Sequence, residues 1–201
     1  MDSSGKGRWR SLIDRNHGTA GGWWRCLVGQ LELVTGSLDA WTGSDREEAV
    51  RLVFVCLGNI NRSAFAAAVA RDLGAECVSI GLSTSSGRPA SQMAVSQAGQ
   101  MGYDLSQHRA TVFHDYEWRD GDLFLAMEVR HLRHLLALGM PSESIGLLGY
   151  WSSPRRIHLH DPHGLSEAYC ATCFTLIEAA VRGLCSSGAV SIRGAGKRGL
   201  R

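Results

Sequence analysis

The chain contains no run of about eighteen apolar residues, so no membrane-spanning helix is expected. It carries little net charge, +2 from 21 basic and 19 acidic residues. No dense basic stripe interleaved with aromatic residues appears, which leaves no argument for a nucleic-acid partner. The opening residues, M-D-S-S-G-K-G-R-W-R, lack the apolar stretch of a secretory signal, and a cytoplasmic protein is expected. The six cysteines are irregularly spaced in a chain that is not small, which argues against a disulfide framework. Cys170 and Cys173 form one C-x-x-C with no second pair to complete a zinc site; two ordinary helix cysteines are expected there. What is present is 44% hydrophobic and 20% charged residues over 201 positions. That suits one soluble globular domain with room for an additional segment.

The informative stretch is residues 51 to 63, R-L-V-F-V-C-L-G-N-I-N-R-S. Leu52 to Val55 read as a short buried strand of a parallel sheet. Gly58 and Asn59 tolerate positive φ, and an alanine-rich helix pattern follows Ser63 until Gly74. A strand, tight loop and helix in this order turn backbone N–H groups toward one point, and the helix N-terminus adds positive potential there. An anion belongs at that point, with Cys56 at its base and Arg62 returning from the far side. Those surroundings favour thiolate over thiol, Ser63 can hydrogen-bond the sulfur, and a guanidinium can grip two phosphate oxygens. The competing reading of the same residues is a buried structural cysteine followed by a surface arginine.

C-L-G-N-I-N-R-S resembles the active-site loop of the low-molecular-weight protein tyrosine phosphatases. Ser79-Ile80-Gly81, Gly87-Arg88-Pro89-Ala90, the run from Gly102 to Ala110 and Asp161-Pro162-His163-Gly164 resemble further family motifs in the same order, over roughly residues 50 to 185. The resemblance implies a phosphotyrosine hydrolase working through a phosphocysteine, with no cofactor or metal. Cys56 would be the nucleophile, Arg62 the oxyanion clamp and Asp161 the general acid. Leu57, Gly58, Asn59, Ile60, Asn61, Arg62 and Ser63 would form the phosphate-binding loop, supported by Ser79 and His108, although a surface histidine is an alternative for His108. The implied partner is a phosphotyrosine protein, such as a tyrosine kinase of bacterial capsule and exopolysaccharide export. The residues leave the oligomeric state open.

Strand and helix patterns alternate along the chain. Strands are expected at Glu76–Ile80, Asp122–Met127 and Ser144–Leu148, with helices at Gln92–Met101, Glu128–Leu138 and Ser166–Leu184. This predicts an α/β fold: a small doubly wound parallel sheet flanked by helices, its site at the carboxyl ends of the strands. Family resemblance makes the strands four. Residues 1–48 form an N-terminal extension, 49–185 the phosphatase domain and 186–201 a flexible basic tail. Residues 1–20 are expected to be partly unordered. Trp24, Leu27, Val28, Leu31, Val34, Leu38 and Trp41 recur at helical spacing, which predicts one extra amphipathic helix docked on the domain, with a linker from Thr42 to Glu48; the alternative is a partner-binding or membrane-surface helix, against which Arg25 and Glu32 leave little strong basic character.

Asp161-Pro162 alone reads as a turn; only the resemblance makes Asp161 an acid. Several positions depart from the family. Asn61 stands where a second loop cysteine is usual, Ala64 for a proline, His163 for an aromatic, Thr111 for an arginine, and a cleft-wall position falls at or near Ser85. His158, His160, Asp161 and His163 crowd one loop, and His131 and His134 share a helix face; either group invites a metal reading, but a thiolate mechanism needs none. Rival functions are an arsenate reductase on the same fold, disfavoured because no cysteine lies between Cys77 and Cys170, and a non-catalytic phosphotyrosine-binding module.

Overall fold

The computed structural model describes residues 3–42 and 49–188, with side chains from Trp9 onward. Its centre is the strand the sequence points to. β1 (Arg51–Cys56) is buried at every position, as befits a strand covered on both faces. β2 (Cys77–Gly81) and β3 (Asp122–Ala126) flank it in parallel, and β4 (Ile145–Leu147) completes the order β2-β1-β3-β4. Alternation along β1 divides the interior. Leu52, Phe54 and Cys56 join one core with α4 (Arg62–Asp72) and α7 (Glu167–Ser186). Val53 and Val55 join the other, with Leu132 and Leu135 of α6 (Val129–Ala137). α5 (Gln92–Gln100) packs beside α7. The expected ends shift by one or two residues, the ordinary scatter of element boundaries.

α7 is long and apolar enough by composition to cross a membrane. Phe174, Ile177, Val181 and Leu184 on its inner face are fully buried in the core, so it serves as a core helix. Cys170 and Cys173 lie buried in it, and burial raises both thiol pKa values, that of Cys170 to about 11. α7 also runs through Ser186, the first residue of the expected tail; positions 189–201 lie outside the described residues.

The N-terminal segment departs from expectation. Residues 3–17 are helical (α1, Ser3–His17) rather than unordered. α2 (Ala20–Val34) starts at Thr19, whose hydroxyl caps the helix by accepting from Gly22 N–H. The helix stops at Thr35, before Gly36 at φ 75°, and α3 (Asp39–Thr42) follows. The single stripe is therefore broken. Its end docks: Leu38 is buried in the second core, Leu33 and Trp41 pack against it, and the Trp41 indole N–H donates to Ser142. Its middle does not. α2 meets the domain through Gly22, beside His160, and Gly29, beside Ile157 and His158, while Trp23, Trp24, Leu27, Val28, Leu31 and Val34 face solvent. The reason is closeness: a Cβ on Gly22 would stand 2.8 Å from the His160 ring and 2.2 Å from the His17 carbonyl. Of the expected linker, Thr42 is buried within α3 and 43–48 lie outside the described residues.

Candidate active site

Cys56 ends β1 on the α4 side, and residues 57–61 turn the chain into α4. Asn59 has a φ of 50°, a conformation that asparagine tolerates better than most residues, and its side chain holds the loop together. The amide Nδ2 donates to Ser63 Oγ and Ser79 Oγ, both at 2.9 Å, and Oδ1 accepts from Thr111 N–H at 2.8 Å. The Asn59 carbonyl receives His108 Nε2 at 2.6 Å. A carbonyl can only accept, so that ring nitrogen bears a proton, and burial lowers the histidine's pKa toward the neutral form. Ser79 and His108 thus stand where the resemblance puts loop support.

The same network reaches the sulfur. Asn59 N–H donates to Cys56 Sγ at 3.2 Å, and Ser63 Oγ lies 3.0 Å from it. Since Ser63 accepts from Asn59, its own hydroxyl hydrogen is free to point at the sulfur. Two donors converge on a buried thiol at the N-terminal end of α4.

Arg62 is entirely buried. Nη1 bonds Glu128 Oε1 and the Leu159 carbonyl, the latter at 2.9 Å, and Nη2 stands 2.7 Å from Asp161 Oδ2. Nε has no partner. Burial opposes the guanidinium charge, but Asp161 and Glu128 reverse that, and its pKa is raised. Glu128 shows the converse balance: burial pushes it up, yet Arg62, His158, His131 and Arg130 hold it down at about 2. Its sequence signal was available, a charged residue directly after a buried strand at the carboxyl edge of the sheet, but the sequence reading used it only as a helix start.

Asp161 reaches Arg62 because Leu159 N–H is anchored on the Met127 carbonyl, 3.0 Å away at the end of β3. Asp161 Oδ1 then accepts from His163 N–H at 3.2 Å, tightening the turn. A cleft of about 150 Å³ opens over the loop, lined by Cys56 to Asn61, Ser83, Arg88, Asp161 and His163. The wall residue is Ser83; Ser85 does not line the cleft. Arg88 supplies a second guanidinium that the sequence reading did not single out as a site residue. Asn61 accepts from Ser91 Oγ through its side chain.

The crowded histidines separate. His163 is exposed at the cleft rim and His134 is exposed on α6, whereas His131 is buried. His158 and His160 approach Glu128, with ligand-type atoms within 4.8 Å of one another. Glu128 already holds Arg62 and Arg130, and those two charges oppose a cation there. Burial lowers the pKa of His131 to about 3 and that of His158 to about 4. His160 Nε2 meets Thr19 Oγ1 at 3.3 Å, so the cap of α2 touches the residue next to Asp161.

The family model described as low molecular weight phosphotyrosine protein phosphatase matches residues 51–192. The low molecular weight protein-tyrosine-phosphatase Wzb of Salmonella typhi is 30% identical over 135 residues, 66% of this chain and 89% of that protein. A crystal structure of a low molecular weight protein tyrosine phosphatase from T. tengcongensis superposes with a TM-score of 0.61 at 27% identity, covering 68% of this chain and 98% of that one. The YwlE arginine phosphatase from Geobacillus stearothermophilus shares the fold at 24% identity, with a TM-score of 0.60 over 68% of this chain and 91% of its own.

Proposed function

The chain belongs to the low molecular weight phosphotyrosine protein phosphatase family, and from that premise we propose that it hydrolyses phosphotyrosine in proteins through a phosphocysteine on Cys56. The observation that carries this reading is the convergence on one cleft of a twice hydrogen-bonded thiol, the loop residues Leu57 to Asn61, and Asp161 held at 2.7 Å by a buried arginine.

The steps follow from these atoms. The phosphoryl group settles over the loop, its oxygens taking N–H groups of residues 57–62 and the unpartnered Arg62 Nε. Its negative charge competes with Asp161 for Arg62, and the released carboxylate takes the proton that the phosphate monoanion brings and turns, as the acid, to face the ester oxygen. The sulfur attacks phosphorus in line as the P–O bond breaks, and Asp161 protonates the departing phenolate. Asp161, now a carboxylate, removes a proton from water; that water cleaves the S–P bond, releasing phosphate and regenerating the thiolate. Glu128 orients Arg62 throughout, and Ser63 and Asn59 hold the sulfur's charge. The resemblance supports a cytoplasmic enzyme acting on a tyrosine kinase of capsule or exopolysaccharide export.

The test is turnover of a phosphotyrosine peptide, phosphoserine, phosphoarginine and arsenate, with wild type and Cys56→Ser, with and without chelator. Expected are selective loss of phosphate from the phosphotyrosine peptide, indifference to chelator and an inactive serine variant. Reduction of arsenate, a preference for phosphoarginine, or turnover by Cys56→Ser would overturn the reading.

A further inference from the structure

A helix that docks through glycine sends its large side chains elsewhere. In α2 the glycines at 22 and 29 face the domain, and Trp23, Trp24, Leu27, Val28, Leu31 and Val34 are exposed, from 37% at Val28 to 83% at Val34. At about 100° per residue these six occupy one sector roughly 140° wide on the side away from the glycines. Monomeric proteins seldom leave so contiguous an apolar face to water.

One shoulder of this face is basic. Arg25 stands there without an ion-pair partner among the described residues. It lines a groove of about 290 Å³ that also holds Arg130 and Arg133 of α6. The acids in that groove are already engaged: Glu32 pairs with Arg133 at 2.9 Å, and buried Glu128 holds Arg62 and Arg130. The stripe is also convex. Any protein partner has to bring an apolar groove shaped to it, and a second copy would offer the same ridge from a fifteen-residue helix, too slender for the roughly 800 Å² per partner of a stable interface. A bilayer fits a convex apolar face without prior shape, and tryptophan favours the depth where acyl chains meet headgroups.

We infer that α2 docks the protein on an anionic bilayer, its six apolar side chains entering the acyl boundary and Arg25, the cation of that shoulder left unpaired among the described residues, meeting the headgroups. An arginine near such a surface adds about fivefold to partitioning, so selectivity for anionic lipid should be about fivefold and should fall as salt screens it.

The full chain is sedimented with vesicles of phosphatidylcholine alone and with about one third phosphatidylglycerol. Binding about fivefold stronger to the anionic vesicles, weakened by added salt, is expected. Leu27→Gln/Leu31→Gln should lose at least about tenfold in binding to those vesicles while keeping its melting temperature and its turnover of nitrophenyl phosphate. Arg25→Glu should reduce the preference for anionic lipid. The inference fails if wild type ignores anionic vesicles, if the double variant binds as wild type does, or if sedimentation equilibrium finds a dimer that the double variant abolishes while vesicles bind nothing. In that last case a second copy is the occupant.

Discussion

Replacing Asp161 with asparagine should move binding and turnover in opposite directions. Asp161 stands 2.7 Å from Arg62 Nη2, and bound phosphate would lie within about 5 Å of its carboxylate. Two unit charges at that distance repel by about 3 kcal/mol at an effective dielectric of 20. The carboxylate is 28% exposed, so solvent screening reduces this to about 1 kcal/mol. Asp161→Asn should therefore bind inorganic phosphate or vanadate about fivefold more tightly, read by calorimetry or product inhibition. The chemistry should suffer, since a general acid contributes about 10²–10⁴-fold. The phenol of tyrosine, with a pKa of about 10, needs its proton more than a nitrophenol does. Burst kinetics should thus show a large loss in the phosphorylation step for phosphotyrosine and a smaller one for nitrophenyl phosphate. Unchanged phosphate affinity together with equal slowing for both leaving groups would refute the reasoning and reduce Asp161 to a loop-shaping residue.

Cys56→Ser should abolish turnover yet still bind vanadate, because the N–H cradle and Arg62 survive; calorimetry decides, and loss of binding would place the anion elsewhere. Peroxide should carry Cys56 to irreversible acids, since Asn61 replaces a thiol beside it; mass spectrometry showing a reducible disulfide from Cys56 would contradict this. Glu128→Gln should cost about 3–5 kcal/mol in urea unfolding, the usual penalty for stranding one member of a buried ion pair; a change below about 1 kcal/mol would mean that Asp161 alone suffices to hold Arg62. Burial holds His131 at about 3 and His158 at about 4, against an ordinary 6.5, so the unfolded chain binds up to two more protons below pH about 6.5. Stability should fall as pH drops from about 6.5 toward 4, by at most about 1.4 kcal/mol per pH unit per proton, and His131→Asn/His158→Asn should flatten that slope. Identical urea midpoints at pH 7 and pH 5 would disprove it.

The sheet was legible because fully buried parallel strands read as unbroken apolar runs, and the loop because cysteine, glycine, asparagine, arginine and serine are each tied to a backbone or charge requirement within eight residues. Glu128 was missed because its meaning lies across the sheet, in Arg62, sixty-six positions away in sequence. α2 was misjudged for a different reason. A hydrophobic stripe normally marks the buried face, but here Gly22 approaches His160 and the His17 carbonyl too closely for a side chain, Gly29 lies against Ile157 and His158, and small residues take the contact. Periodicity records that one face is apolar; it does not record which face the domain accepts.

Leu38 is 3% exposed and sits among Val53, Val55, Ile80 and Ile145. Its burial alone is worth about 1.5–3 kcal/mol, and Trp41, Thr42 and the α2 contacts add to it. The extension is thus held by its own surface as well as by the peptide chain. A single cut placed between residues 43 and 48 should leave two polypeptides that migrate as one particle. A gene trimmed to start at residue 49 would instead encode a sheet with one face partly stripped, prone to aggregate on release from the ribosome.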